Sequence, residues 1–430
     1  MKQLKDLFSR KSSIWLTIEL ILVTIACWWA FDPVIVTSSV VGMPIGYDAD
    51  RIVRFTVSSS ASKDEELNKW EEIIDEEEVL LQKVQEMDGV ETAYAASSTP
   101  IGFGTVDMPK FFYHNGDSLQ CFCYGFIKDS RMFDVYGIQS LTPGVPTSML
   151  SHNCEGDITI ILTRSVAMKL FGTIDVAGKK LFGKELGWLE ETEELGWKSG
   201  KYYKIRAVVE DVRYFRHDRE CANAFICDNS LSVNVPILAR LREGVNAAQF
   251  VQAHEQEVQR DLVTEHCYVR QMEVLSEVQD KLVKNGYLGR QTRRNLLIAA
   301  FFAINLAFGV FGTLLMYTRQ RREEAGVRRA FGATRRSIFW GFIREAWLLT
   351  TVSVLLGCII YFQFAATRGL YDNFSSPDSA IHLWFDDFGT HFLVVSAIVY
   401  LIILCTVLIG TAIPAWRICR STITEALRDE

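Results

Sequence analysis

Seven arginines lie between Arg321 and Arg344, in a chain of 430 residues with a formal net charge of −7. They belong to the stretch RREEAGVRRAFGATRRSIFWGFIREAWLL, residues 321–349. Clustered guanidinium groups can grip nucleic-acid phosphates, hold a lipid surface or dock a protein. Glu324 and Arg328 stand at i, i+4 in the order that supports a helix, and Arg321 lies three before Glu324. Ala325, Val327, Ala330 and Phe331 are small or apolar, so a short amphipathic helix is expected here. Gly332 would end it and Thr334 would cap the next helix, with Trp340, Arg344, Glu345 and Trp347 at the membrane interface. A nucleic-acid reader is excluded, because the loop is short and tethered between two apolar segments.

Other candidate chemistry is weaker. Gly178-Lys-Lys-Leu-Phe-Gly-Lys184-Glu185 imitates a phosphate loop, but Glu185 stands where a hydroxyl should hold magnesium, and a carboxylate there repels phosphate. No G-x-S-x-G or H-E-x-x-H occurs and the seven histidines are scattered, so no enzymatic activity is expected of this chain. Six of the ten cysteines (Cys121, Cys123, Cys154, Cys221, Cys227 and Cys267) fall between the first two apolar segments, where free thiols and disulfides are both open. Cys-Phe-Cys lacks zinc-site spacing, so no metal is expected.

The elements that must position these residues are mostly apolar helices. Four runs approach the roughly 20 residues that cross a ~30 Å hydrocarbon core: 14–31, 295–317, 346–364 and 392–413. Glu19 is the one charge inside the first. It reads either as a proton relay or as the partner of a cation such as Arg344. The first run is taken as a retained anchor, because Trp28-Trp29 before Asp32-Pro33 is a poor cleavage site; both tryptophans are expected at the far interface. Lys2, Lys5, Arg10 and Lys11 flank its start, the 318–345 connection carries eight Arg against three Glu, and the 365–391 connection has only Arg368 against four Asp. The positive-inside rule then puts both termini and the arginine-rich loop in the cytoplasm.

Residues 32–290 would lie outside. Strands are expected at 51–58, 89–96, 157–163, 202–212, 222–228, 235–242 and 267–275, with helices at 63–87, 164–172 and 246–262. The first strand, helix and second strand read as a β-α-β unit. Glu77 interrupts the apolar stripe of its helix. A helix starting at Ser276 is expected to run past Gly286 and Gly289 into the second span as a stiff stalk. The fold class is therefore an α+β extracytoplasmic domain inserted between transmembrane helices 1 and 2 of a four-helix membrane domain.

The loop closely resembles that of MacB/FtsX/LolC-type ABC transporter permeases, R-x-x-E-[IA]-G-[IV]-R-[RK]-A-[LF]-G-A followed by F-[LI]-x-E-A. Arg321, Glu324, Gly326, Val327, Arg328, Arg329, Ala330, Phe331, Gly332 and Ala333 match in register, as do Phe342, Ile343, Glu345 and Ala346. Pro414, Ala415, Arg417, Glu425, Ala426, Leu427, Arg428 and Glu430 resemble the family's ending, with Ile423 where a second proline is usual. ILTRSVAMKLFGTIDVAGKKLF and YYKIRAVVEDVRYF are similar to the MacB-like periplasmic core.

The resemblance implies a multi-pass protein of the bacterial inner membrane. Its parts would be a tail (1–12), helix 1 (13–31), a periplasmic domain of two subdomains with a stalk (32–290) and helix 2 (294–318). A coupling loop (319–337), helix 3 (338–364), a short periplasmic loop (365–390), helix 4 (391–413) and a tail (414–430) would follow. It implies a permease subunit that couples a separate ATPase dimer to movement of its periplasmic domain, the ATP and magnesium being bound by that partner. Other implied partners are a second permease copy or paralogue, a periplasmic adaptor or outer-membrane protein, and membrane lipid. The alternative is an FtsX-like regulator of a cell-wall hydrolase, or a membrane-anchored sensor.

Overall fold

The computed structural model describes residues 11–60, 69–96, 101, 110–152, 154, 158–188, 195–197, 199–214, 223–227, 233–320, 327–328, 331–371 and 382–420. In chain order the first elements are α1 (Lys11–Val41), β1 (Ile52–Ser59), α2 (Trp70–Glu86), β2 (Val90–Ala95), β3 (Lys110–His114), β4 (Asp117–Phe126) and α3 (Met132–Tyr136). There follow β5 (Thr159–Thr163), α4 (Arg164–Phe171), β6 (Lys180–Trp188), β7 (Leu195–Trp197), β8 (Lys201–Val209) and β9 (Asn223–Cys227). The last are β10 (Ile237–Leu241), α5 (Ala247–Asp261), β11 (Cys267–Val274), α6 (Leu275–Asn285), α7 (Tyr287–Gln320), α8 (Arg335–Arg368) and α9 (Phe388–Arg420). Two compact units result: Met1–Ser39 with Gly289–Asn373 and Leu383–Glu430, and Val40–Leu288 with Phe374–His382.

In the second unit, the expected β-α-β unit is split. β1 and β2 do not pair; β10 lies between them and is antiparallel to both, giving the order β11-β1-β10-β2. The apolar face of α2 (Ile73, Leu80, Val84) and that of α5 (Phe250, Val258) cover one side of this sheet in a single buried cluster. Each such side chain contributes about 1.5–3 kcal/mol on burial. Asn246 starts α5 by accepting from the Gln249 N–H at 3.0 Å. Glu77 breaks the stripe because its carboxylate holds a loop: it accepts the Asn234 N–H at 2.6 Å, at a residue with φ +61°. Asn234 Oδ1 in turn accepts from Ser59 N, so a buried carboxylate fixes the loop that feeds β10.

Between β2 and β10 the chain builds a second sheet, β3-β4-β9-β5-β8-β6-β7. β3 also pairs with β6, Tyr113 opposite Phe182, and this closes six strands into a barrel. Phe112, Leu119, Ile160, Leu162, Leu181 and Tyr203 bury together there, joined by Val166, Ala167 and Leu170 of α4. The phosphate-loop imitation is the start of β6. Lys110 pairs with Glu185 across β3–β6, and a Cβ on Gly183 would lie 2.8 Å from the Phe112 ring and 2.9 Å from that of Tyr203. Gly183→Val should therefore overpack the barrel and lower stability by about 1–3 kcal/mol, read as an earlier thermal transition of the detergent-purified chain. An unchanged transition would mean that the barrel does not close at this point.

All five described cysteines of this unit, Cys121, Cys123, Cys154, Cys227 and Cys267, are buried thiols outside any disulfide; Cys221 lies outside the described residues. The continuous stalk is not formed. α6 ends at Asn285, Gly286 is extended (ψ 170°), and α7 starts afresh at Tyr287.

The first unit holds the long apolar helices. By length and composition three can cross a membrane among the described residues: Ile14–Val41, Arg335–Arg368 and Phe388–Arg417. The expected second span lies within the 34-residue α7. α1 continues through Pro33 to Val41, beyond the expected end at Phe31. α9 presents Val395, Val399, Ile403 and Val407, each fully buried, at a strict four-residue step. Ala346, Leu349, Val354 and Tyr361 of α8 and Leu16, Leu20 and Trp28 of α1 complete that core. Helix α1 approaches α8 closely at Gly357, where a Cβ would lie 2.7 Å from that of Thr24.

Candidate functional site

The arginine-rich loop is described at Val327, Arg328 and from Phe331 onward; Arg321, Glu324, Gly326 and Arg329 lie outside the described residues. The described part is a helical turn with a left-handed stop. Phe331 N–H donates to Val327 O at 3.1 Å, Ala333 N–H donates to Arg328 O at 3.0 Å, and Gly332 between them has φ +93°. That is the six-to-one closure of a helix C-terminus, which glycine makes without strain. Thr334 Oγ1 then accepts the Ser337 N–H at 3.2 Å and starts α8. The stop and cap read from the sequence are thus both present.

The turn aims an unexpected surface outward. Phe331 is 89% exposed and Val327 46%, one helical step apart, with Arg328 exposed beside them. An aromatic ring left that open has no role in its own fold, and apolar groups gathered among cations mark a contact surface. Its base is firm: Ile338 and Phe342 of α8 bury against Ala415 and Cys419 of α9.

Glu19 and Arg344 are placed apart from the expected pairing. Arg344 is exposed and lines a groove on α8, whereas the Glu19 carboxylate lies against α7, where a Cβ on Gly309 would collide with Glu19 Oε1. Glu345 is half-buried. Trp28 is not an interface residue. It is fully buried, donates its indole N–H to Ser396 Oγ at 3.0 Å, and stacks on Tyr361 and Phe392 with centroids 4.4 and 5.2 Å away. Trp29, next to it, is exposed.

Sequence reading misses a buried hydrogen-bonded knot in this unit. Asp32 and His391 are 2% and 1% exposed, and His391 Nε2 lies 2.7 Å from Asp32 Oδ1. The other ring nitrogen lies 3.1 Å from Phe385 O, and Asp32 Oδ2 accepts the Tyr371 N–H at 3.0 Å. One carboxylate thus ties α1, Tyr371 three residues past the end of α8, and the start of α9. In the sequence both residues look like ordinary polar borders of apolar runs, and their separation of 359 positions hides the pair.

Among the described residues, one group in the second unit has metal-ligand chemistry: Glu76, Glu265 and His266, with ligand atoms within 4.8 Å of one another. It is occupied by hydrogen bonds. Glu76 Oε1 faces His266 Nδ1 at 2.7 Å, and Oε2 accepts from Thr264 Oγ1, His266 N and Cys267 N at 2.6, 2.8 and 3.2 Å. Burial alone would raise this carboxyl, but the donors outweigh it and hold it down at about 2. Lys69 Nζ stands 3.3 Å from His266 Nε2, where its ammonium opposes a cation. The cluster clasps α2 to the β11 entrance.

Residues 296–423 match the family model described as FtsX-like permease C-terminal. Over 85 residues the chain is 35% identical to the pyoverdine export ATP-binding/permease protein PvdT of Pseudomonas putida, 19% of this chain and 13% of that protein. Over 97 residues it is 33% identical to the macrolide export ATP-binding/permease protein MacB of Marinobacter nauticus, 23% of this chain and 13% of that one. The matched stretch is therefore a small part of either relative's length. The periplasmic region of MacB from Actinobacillus actinomycetemcomitans aligns with 57% of this chain and 98% of its own at 10% identity and a TM-score of 0.31, from which nothing further follows.

Proposed function

Because this chain is a MacB/FtsX-like permease of the ABC-transporter kind, with the FtsX-like domain at 296–423, we propose that it couples a separate ATPase to movement of its outer unit. The observation that carries this reading is the open Val327–Phe331 face, set by Gly332 at the start of α8. That face docks on a cytoplasmic ATPase dimer, which binds the ATP and magnesium. Closure of the dimer pushes the turn, and the push passes along α7.

The break at Gly286 makes the outer end of α7 a hinge rather than a rod. To move the outer unit from mostly one arrangement to mostly another, the partner must favour the second by about 5.5 kcal/mol. In this reading α7 is the second of four spans, both termini are cytoplasmic and the outer unit is periplasmic in a bacterial inner membrane. Two permease chains, copies or paralogues, flank the ATPase dimer. A periplasmic adaptor or outer-membrane protein receives the movement, and the cargo is exported or released at the outer face.

The test is purification of the full chain in a gentle detergent from its native cells, with mass spectrometry of what comes with it. An ABC ATPase in a one-to-one ratio with this chain is the expected result. A chain that purifies with a histidine kinase, and with no ATPase, would overturn the proposal.

A further inference from the structure

A groove of about 610 Å³ opens at the Thr334 end of α8, walled by Ser337, Trp340, Gly341, Arg344 and Trp347 and by Leu408 of α9. The α8 residues recur at three- and four-residue steps and so share one face of the helix. A Cβ on Gly341 would find nothing within 4 Å, so the middle of the groove is open. Its wall is rigid: the Trp347 indole N–H donates to Tyr400 OH at 3.2 Å, and that hydroxyl also lies 3.1 Å from Thr351 Oγ1.

Arg344 decides what such a groove would hold. It is exposed, and among the described residues it makes no hydrogen bond or ion pair. Trp340 and Trp347, 56% and 44% exposed, flank it. The 34 residues of α8 span about 51 Å, roughly 20 Å more than the hydrocarbon core. Shared between both ends, that surplus puts Arg344, ten residues past the cap, about 5 Å inside the hydrocarbon edge. A guanidinium at that depth reaches back to the phosphate level, with its stem against apolar surface. Its planar fork matches two phosphate oxygens, Ser337 offers a hydroxyl on the same face, and the indoles suit the glycerol boundary.

We propose that this groove binds one anionic phospholipid, its phosphate on Arg344 and an acyl chain along Trp347 and Leu408. An anionic head group is favoured over a zwitterionic one, because no ammonium of its own competes with the arginine. The site rests on the membrane reading of α8, but not on the ATPase partner.

The full chain would be reconstituted into vesicles of equal phosphatidylglycerol and phosphatidylcholine, extracted in mild detergent and weighed by native mass spectrometry. The wild type should keep phosphatidylglycerol in preference to phosphatidylcholine. Arg344→Gln should cut that preference about five- to tenfold, and Arg344→Lys, which keeps charge but loses the fork, should fall between. Arg368→Gln, at the opposite end of α8, should change nothing. Equal retention of both lipids by the wild type, or an unchanged preference in Arg344→Gln, would overturn the proposal. So would a second copy of this chain in place of the lipid. Protease protection in the same vesicles keeps the arms apart: a chain that inserts but shows no lipid preference loses only the site, whereas one that fails to insert loses the membrane reading too.

Discussion

Phe331→Asp should uncouple the chain from its ATPase while leaving the chain folded. The ring is 89% exposed, so its loss costs almost nothing in stability. At a docking surface, however, an aromatic anchor of this kind typically carries at least about 2 kcal/mol, which is about a thirtyfold loss of affinity. The charge reversal Arg328→Glu with Arg329→Glu should have the same outcome by electrostatic repulsion, and the combined variant should be no worse than either once docking is gone. ATP hydrolysis by the copurified partner, with and without each variant, reads the effect. Stimulation at the wild-type level in Phe331→Asp would show that the exposed face is not the contact.

The largest stability effect is expected at the Asp32–His391 knot. His391→Leu keeps an apolar side chain in the pocket but leaves the Asp32 carboxylate buried without its ring partner. Breaking a buried pair on one side costs about 3–5 kcal/mol. Asp32→Asn should cost less, because the amide still offers an oxygen to the Tyr371 N–H and the charge disappears with the mutation. The double change Asp32→Asn with His391→Leu should recover part of the loss relative to His391→Leu alone. Thermal unfolding of the purified chain measures all three. A His391→Leu variant no weaker than Asp32→Asn would mean that the pair is not closed. The expected order follows from geometry: His391→Leu removes the ring that ties the carboxylate to α9 and leaves the carboxylate buried, whereas Asp32→Asn keeps an oxygen on the Tyr371 N–H.

Much of this architecture is legible because it is local. Gly332 and Thr334 announce the stop and cap that the backbone makes, and the seven- and four-residue steps between Ile73, Leu80 and Val84 announce the buried face of α2. Strands β3, β4, β6 and β7 escape the sequence reading. For β3–β4 a local signal exists: Asn115-Gly116 adopts φ +49° and +94° and joins strands whose last pair is His114 opposite Asp117. That is the two-residue hairpin turn for which Asn-Gly is the strongest short signal.

What is not legible is non-local. β10 enters between β1 and β2 from about 140 residues further on, a pairing that no window of sequence displays. Trp28 looks like an interface residue because indoles favour that position, yet Ser396 supplies the hydrogen bond that lets it be buried. Gly286 reads as tolerated within a helix, whereas the extended backbone there ends one helix before the next begins. At the candidate site, residue types point to a contact, but only the fold reveals that Phe331 and Val327 face outward while Phe342 faces in.

The central claim is that the turn at Val327–Phe331 touches an ATPase. The direct measurement is a photo-crosslink: a benzophenone amino acid in place of Phe331 in the full chain, irradiated in native membranes and identified by mass spectrometry. A covalent adduct with an ABC ATPase, lost when the same group replaces the buried Phe342, is the result this structure predicts. Adducts with lipid alone, or none with any nucleotide-binding protein, would contradict it.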